Sequence, residues 1–178
     1  MIDNVALGAD GHTNHVLNVM RQSEATLDLS SNTEVLPGLV LRAEPSLELT
    51  GTVQSPEGTL LAIDARMNDH HGSWCGLHIN LPAKDLTHNG VIGFAARIKA
   101  SGLNVARACI RSGTDDGFKD CFFDKHLMFR SDEASHIDGM SISSSKDLPL
   151  QAPWRELVFF LPTHSFNMTF VDIRVFVV

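Results

Sequence analysis

The chain has 178 residues, 43% hydrophobic and 20% charged, the make-up of one folded domain rather than a disordered segment. Its formal net charge of -7, from 21 acidic against 14 basic side chains, argues against nucleic acid as a partner, because an acidic surface repels phosphate. No apolar run approaches the roughly 20 residues needed to cross a bilayer, so no membrane partner is expected.

The opening, MIDNVALGADGHTNH, has neither the basic nor the apolar region of a signal peptide. A cytoplasmic location is therefore expected, or a secreted one if a leader has been trimmed away. Residues 1–34 are the least regular part and are expected to add an edge strand or to wrap the domain. The one helical pattern is short, around Asn14 to Gln22, where Val16, Leu17 and Met20 share a face.

From about Leu39 onward, short apolar stretches alternate with turn residues. Leu39–Ala43 and Ser46–Thr50 flank a Glu-Pro pair. Thr59–Met67 follows Pro56-Glu57-Gly58, and Trp74–Leu81 follows the polar loop Asn68 to Ser73. Val91–Ala100 and Asn104–Arg111 are separated by Ser101-Gly102, which reads as a hairpin turn. Asp120–Arg130, Ile137–Ile142, Glu156–Leu161 and Thr169–Val178 complete the set, and the last apolar stretch predicts a domain that ends with the chain. This spacing predicts a single all-β domain over 1–178, a two-sheet β-sandwich of the jelly-roll type with at most one short helix.

Alternate side chains of a strand point to opposite faces. Ile92, Phe94, Ala96 and Ile98 are expected inside, with Arg97 and Lys99 outside. Ala106, Ala108 and Ile110 oppose Arg107 and Arg111, while Leu77, Ile79 and Leu81 oppose Trp74, His78 and Asn80. Leu157 to Leu161 is apolar on both faces and belongs in a central strand. Cys75, Cys109 and Cys121 form no CxxC pair and read as buried thiols. Cys109 and Cys121 would be close enough to pair if their strands are adjacent and the chain is exported.

The second half carries Gly93-Phe94-Ala95-Ala96-Arg97-Ile98-Lys99-Ala100, then Trp154-Arg155-Glu156-Leu157-Val158-Phe159-Phe160-Leu161-Pro162, then Phe170-Val171-Asp172-Ile173-Arg174-Val175. Over roughly residues 58–178 this resembles a carbohydrate-binding module with a galactose-binding-like jelly roll. The resemblance implies a glycan or polysaccharide partner, no catalysis, and a structural calcium held by Asp172, with Glu44, Glu48 and Asp64 as further donors. The chain departs from such modules in having no Tyr and only 2 Trp, and most of its Phe residues occupy core-like positions.

Four groups of side chains are candidates for function. Trp74, His78, Asn80, Arg97, Arg107 and Arg111 would share a polar sheet face that could hold an acidic or soluble glycan through guanidinium–anion pairs. The same residues also read as an ordinary solvated face. The loop containing His70 and His71 concentrates polar groups beside Trp74, although two neighbouring histidines seldom complete a metal site. Asp172 is the calcium candidate, with simple pairing to an arginine as the alternative. His136-Ile137-Asp138, with His164 and Arg174, follows the order of a jelly-roll Fe(II) oxygenase, but its spacing is too short. A non-catalytic glycan-binding module is therefore the leading expectation. The alternatives are a structural or protein-interaction accessory domain, with a partner protein or parent enzyme, and the oxygenase.

Overall fold

The computed structural model describes residues 8–68 and 72–178. The chain begins with helix α1 (Ala9–Gln22) and continues through strands β1 (Thr26–Asp28), β2 (Asn32–Leu36) and β3 (Leu39–Ala43). After a 3-10 turn at Pro45–Leu47 come β4 (Thr50–Gln54), β5 (Leu61–Arg66), β6 (Cys75–Asn80), β7 (Val91–Ala100) and β8 (Asn104–Thr114). The last five are β9 (Gly117–Phe122), β10 (Leu127–Phe129), β11 (Ala134–Ser141), β12 (Arg155–Leu161) and β13 (Phe166–Val177).

These strands form two antiparallel sheets packed face to face. Sheet A runs β1-β4-β5-β13-β7-β11, and sheet B runs β10-β8-β12-β6-β3-β2, with β9 also pairing β8 beside β10. The expected alternation places the core. Phe94, Ile98, Phe170 and Ile173 of sheet A meet Leu77, Ile79, Ala108, Ile110 and Phe159 of sheet B, all buried. Aromatic rings lock the two layers, with Phe94 edge-on to Phe159 at 5.0 Å and Phe159 tilted against Phe170 at 5.3 Å. β12 is central, between β8 and β6, as its doubly apolar run predicts.

Helix α1 is longer than its apolar pattern implies. Its N-terminal half is polar, but Thr13 Oγ1 donates to the carbonyl of Asn80 and is buried, while Leu17 and Met20 enter the core. Beyond Phe170, β13 has lost β5 as a neighbour. There Asn14 Nδ2 donates to the Val175 carbonyl at 2.8 Å, and the Val175 N–H donates to Asn14 Oδ1 at 2.9 Å. One side-chain amide thus supplies both hydrogen bonds that a neighbouring strand would have supplied.

The sequence reading errs at four places. Ser46–Thr50 is no strand, because Pro45 starts a 3-10 turn that Glu48 closes in the left-handed region at φ 49°, and pairing resumes at Thr50. Asp120–Arg130 is two strands broken near Asp124. Ser101-Gly102 is no hairpin, since β7 lies in sheet A and β8 in sheet B, and the turn carries the chain across the sandwich. β4 has no counterpart in that reading, whereas β1, at the edge of sheet A, and β2, which begins at Asn32 on the edge of sheet B, fall where residues 1–34 are expected to add an edge strand; all three are three to five residues long and largely polar.

Candidate binding face

The outer face of sheet B is built from cross-strand rows. Asp120, Arg111, Glu156 and Asn80 lie level on β9, β8, β12 and β6. The next row holds Phe122, Cys109, Val158, His78 and Val40, and the one after it Arg107, Phe160, Gly76 and Arg42. Phe118, opposite Gly113, stands one row beyond Asp120.

Two tryptophans bound this face. Trp154 precedes β12 in phase with Glu156, Val158 and Phe160, and Trp74 precedes β6 in phase with Gly76, His78 and Asn80. By the register of β6 and β12, Trp74 falls level with Pro162, eight residues along the chain from Trp154, so the two backbone positions lie roughly 26 Å apart along the sheet. They are 38% and 40% exposed. Gly113 makes room for one of them: a Cβ there would sit 2.4 Å from Trp154 Nε1.

Between the tryptophans, guanidinium groups stack on phenyl rings. Arg107 lies over Phe122 at 4.1 Å, and Arg111 over Phe118 at 4.0 Å. Asp120 grips Arg111 through both carboxylate oxygens, at 2.7 and 2.8 Å, and holds that guanidinium above its ordinary pKa. His78 is 4% exposed, so it offers no surface to a ligand. Its Nδ1 instead bonds Glu156 Oε2 at 2.8 Å. Burial raises the Glu156 carboxyl, but His78, with Arg42 and Arg111, outweighs this and keeps it below the ordinary carboxylate value.

The structure thus gathers Trp74, His78, Asn80, Arg107 and Arg111 on one face and leaves Arg97 out. Arg97 is on β7, on the outer face of the other sheet, paired with Glu133 at 2.6 Å. Alternation along β7 and β8 is identical whichever sheet each joins, so the sequence pattern could not separate them. Conversely, Phe118, Phe122 and Phe160 went unnoticed, although the period-2 run Phe118-Lys119-Asp120-Cys121-Phe122-Phe123 holds the signal. Cys121 and Phe123 are its buried partners. His70 and His71 lie outside the described residues.

The remaining candidates do not assemble. Asp172 accepts from Arg21 of α1 and forms an ion pair with Arg174 at 3.4 Å, and among the described residues no three His, Cys, Asp or Glu side chains converge. A carboxylate between two guanidiniums is electrostatically opposed to holding a divalent cation, and Glu44 is bonded to Ser73 instead. His136 and Asp138 point inward from β11. His164 lies in the bend before β13, whose first residue, Phe166, is roughly 23 Å along the strand from Ile173, the residue level with His136 across β7, so an iron triad does not form. Cys109 and Cys121 are free. Ile110, not Cys109, faces Cys121, which puts the two thiols on opposite faces. Burial pushes the Cys75 thiol up to about 12.

The N-terminal cellulose-binding domain of Cellulomonas fimi β-1,4-glucanase C superposes with TM-score 0.56 at 12% identity, over 83% of this chain and 92% of that one. The CBM22-1 xylan-binding domain of Paenibacillus barcinonensis Xyn10C matches with TM-score 0.51 at 9% identity, over 88% and 87%. A CBM4 structure matches with TM-score 0.52 at 14% identity, over 80% and 96%. The fold is that of carbohydrate-binding modules. No family model and no curated protein matches the chain. At these identities the likeness speaks for the jelly-roll sandwich alone.

Proposed function

We propose that the chain is a glycan-binding module that performs no chemistry and that binds through the outer face of sheet B. The observation that carries this reading is the line of aromatic side chains on that face, Trp154, Phe118, Phe160, Phe122 and Trp74, interleaved with Arg111 and Arg107. Aromatic rings present apolar surface to the C–H face of a sugar ring, and the charged groups between them bond its hydroxyls. The separation of the two tryptophans suits an extended chain of several sugars rather than one. The fold likeness to modules described as cellulose-binding and xylan-binding supports the same reading.

An acidic glycan is not favoured on this face. Asp120 neutralises Arg111, and Glu156 offsets Arg42, at 3.7 Å, leaving Arg107 as the uncompensated charge of the three. Neutral β-linked oligosaccharides are the better match. Affinity electrophoresis in gels containing soluble xylan or a soluble cellulose derivative tests this: retardation is expected for the native chain and should be lost in Trp74→Ala. Equal mobility with and without every polysaccharide would sink the reading.

A second reading is favoured by one specific patch. Leu103, Val105 and Met128 are 70%, 47% and 55% exposed, with Val105 and Met128 paired across β8 and β10. An apolar strip of this kind fits a protein partner, such as another domain of a parent enzyme.

A further inference from the structure

The opposite side of the sandwich carries a different kind of recess. On the outer face of sheet A, Ala95 of β7 is a short side chain ringed by long ones. Ile137 faces it across β11, Arg174 faces it across β13, and Arg97 follows it on its own strand. The result is a cavity of about 220 Å³ lined by Ala95, Arg97, Ser135, Ile137, Asp172 and Arg174. Gly93 and Phe176 lie at its next row, where a Cβ on Gly93 would come within 2.4 Å of the Phe176 ring.

The charges around this recess do not balance. Arg21, Arg97 and Arg174 converge here, and Arg21 falls below its ordinary pKa, first through burial and then through the charges of Arg174 and Arg97. Their counterions are Asp172, shared by Arg21 and Arg174, and Glu133, which pairs Arg97. Among the described residues, three cations here meet two carboxylates. The Arg97–Glu133 pair is also half-exposed on both sides, at 54% and 40%, so it is weakly held and easily exchanged. Arg97 and Arg174 are diagonal neighbours on β7 and β13, roughly 7–8 Å apart at the backbone, which lets both guanidiniums reach one anion. The floor between them is apolar: the Ala95 methyl and the Ile137 side chain, 63% exposed.

We propose that this recess is a second binding site, for a sugar-sized ligand bearing a carboxylate, a hexuronate being the type. The carboxylate lies between Arg97 and Arg174, and the ring rests on Ala95 and Ile137. The recess faces away from Trp74 and Trp154, and it stands whether or not that other face binds glycan.

The test is a titration of the whole chain with D-glucuronate, followed by proton–nitrogen NMR. Saturable shifts are expected at Ala95, Arg97, Ile137 and Arg174, and the uncharged methyl ester should bind about tenfold more weakly, the worth of a charge-assisted hydrogen bond. Arg174→Gln should weaken binding by about tenfold. Glu133→Gln should strengthen it, because Arg97 loses its competing partner. Arg107→Gln and Trp74→Ala, on the other face, should leave it unchanged, which separates failure here from failure there. Shifts centred on Arg107 and Trp74 would overturn the assignment. So would acetate binding as tightly as glucuronate, since the apolar floor would then contribute nothing, or Arg174→Gln and Glu133→Gln both being without effect in folded protein.

Discussion

Trp154 and Gly113 occupy a single side-chain space: the indole fills the volume that any larger residue at 113 would need. Gly113 is buried in β8, and its N–H donates to the Trp154 carbonyl at 3.0 Å, so both backbone and ring are registered to it. Gly113→Ala should therefore displace the indole while leaving the core intact. In a Trp74→Phe background, Trp154 is the one fluorophore of its kind, and its emission should move to longer wavelength. Retardation by xylan or cellulose gels should fall several-fold. An unchanged spectrum would mean that the ring does not rest there.

Arg155 is the largest of the fully buried side chains, 1% exposed, and among the described residues no carboxylate forms an ion pair with it, Asp85 acting on it only at longer range. Its donors are taken by Ser112 Oγ at 2.5 Å and by the carbonyls of Ala83 at 2.6 Å, Pro149 at 2.5 Å and Leu150 at 3.0 Å. The guanidinium fork ties the loops before β7 and before β12 to the end of β8. Arg155→Met should cost about 3–5 kcal/mol, because four acceptors lose their donors together, two of them, Ser112 Oγ and the Ala83 carbonyl, in buried bonds. Arg155→Lys should recover little, since an ammonium lacks the planar fork. Urea unfolding midpoints measure both.

His136 packs against Phe94, ring to ring at 5.5 Å, with Nε2 buried and without a hydrogen-bond partner. Burial lowers its pKa most; Asp138 works the other way, and Lys125 adds to the lowering. A histidine whose folded pKa is depressed keeps its full contribution above the unfolded value of about 6.5 and loses it as pH falls toward the folded value. Melting temperature should therefore drop as pH falls below about 6.5. His136→Phe, which keeps a ring against Phe94, should flatten that slope. An unaltered slope in the variant would assign the pH dependence to another group.

Calcium should not change the stability. Asp172 is already paired with Arg21 and Arg174, and a cation there would face two guanidiniums at short range. Neither EDTA nor added calcium should shift the melting temperature, whereas Asp172→Asn should lower it by leaving Arg21 without its counterion. A rise with calcium would show donors beyond those described.

The layers of this sandwich were legible because Phe94, Ile98, Ala108 and Ile110 recur with period 2, and burial enforces that period. What the pattern does not encode is the sheet to which a strand belongs. Arg97 and Arg107 look alike in sequence, yet the turn at Ser101-Gly102 sends them to opposite outer faces. The N-terminal edge strands are legible only as an edge element somewhere in residues 1–34, because β1 and β2 are short strands at sheet edges, where half of each strand is solvated and little apolar signal remains. The N-terminal half of α1 was invisible because it is anchored by Thr13 and Asn14, through hydrogen bonds, and not by apolar contacts. On the site itself, Trp74, Arg107 and Arg111 were recoverable from phase alone, whereas the phenylalanines beside them needed β9 to be recognised as separate from β10.

The amide of Asn14 has a consequence for the strand edge it covers. By answering both polar groups of Val175, it closes a strand margin that would otherwise be open to any passing extended segment, including the same segment of another copy. The helix thus serves as a stopper against self-templating. Cleavage in the stretch around Ser23 and Glu24 would release that stopper, and the liberated margin would recruit a second molecule by exchange of α1 or by strand addition.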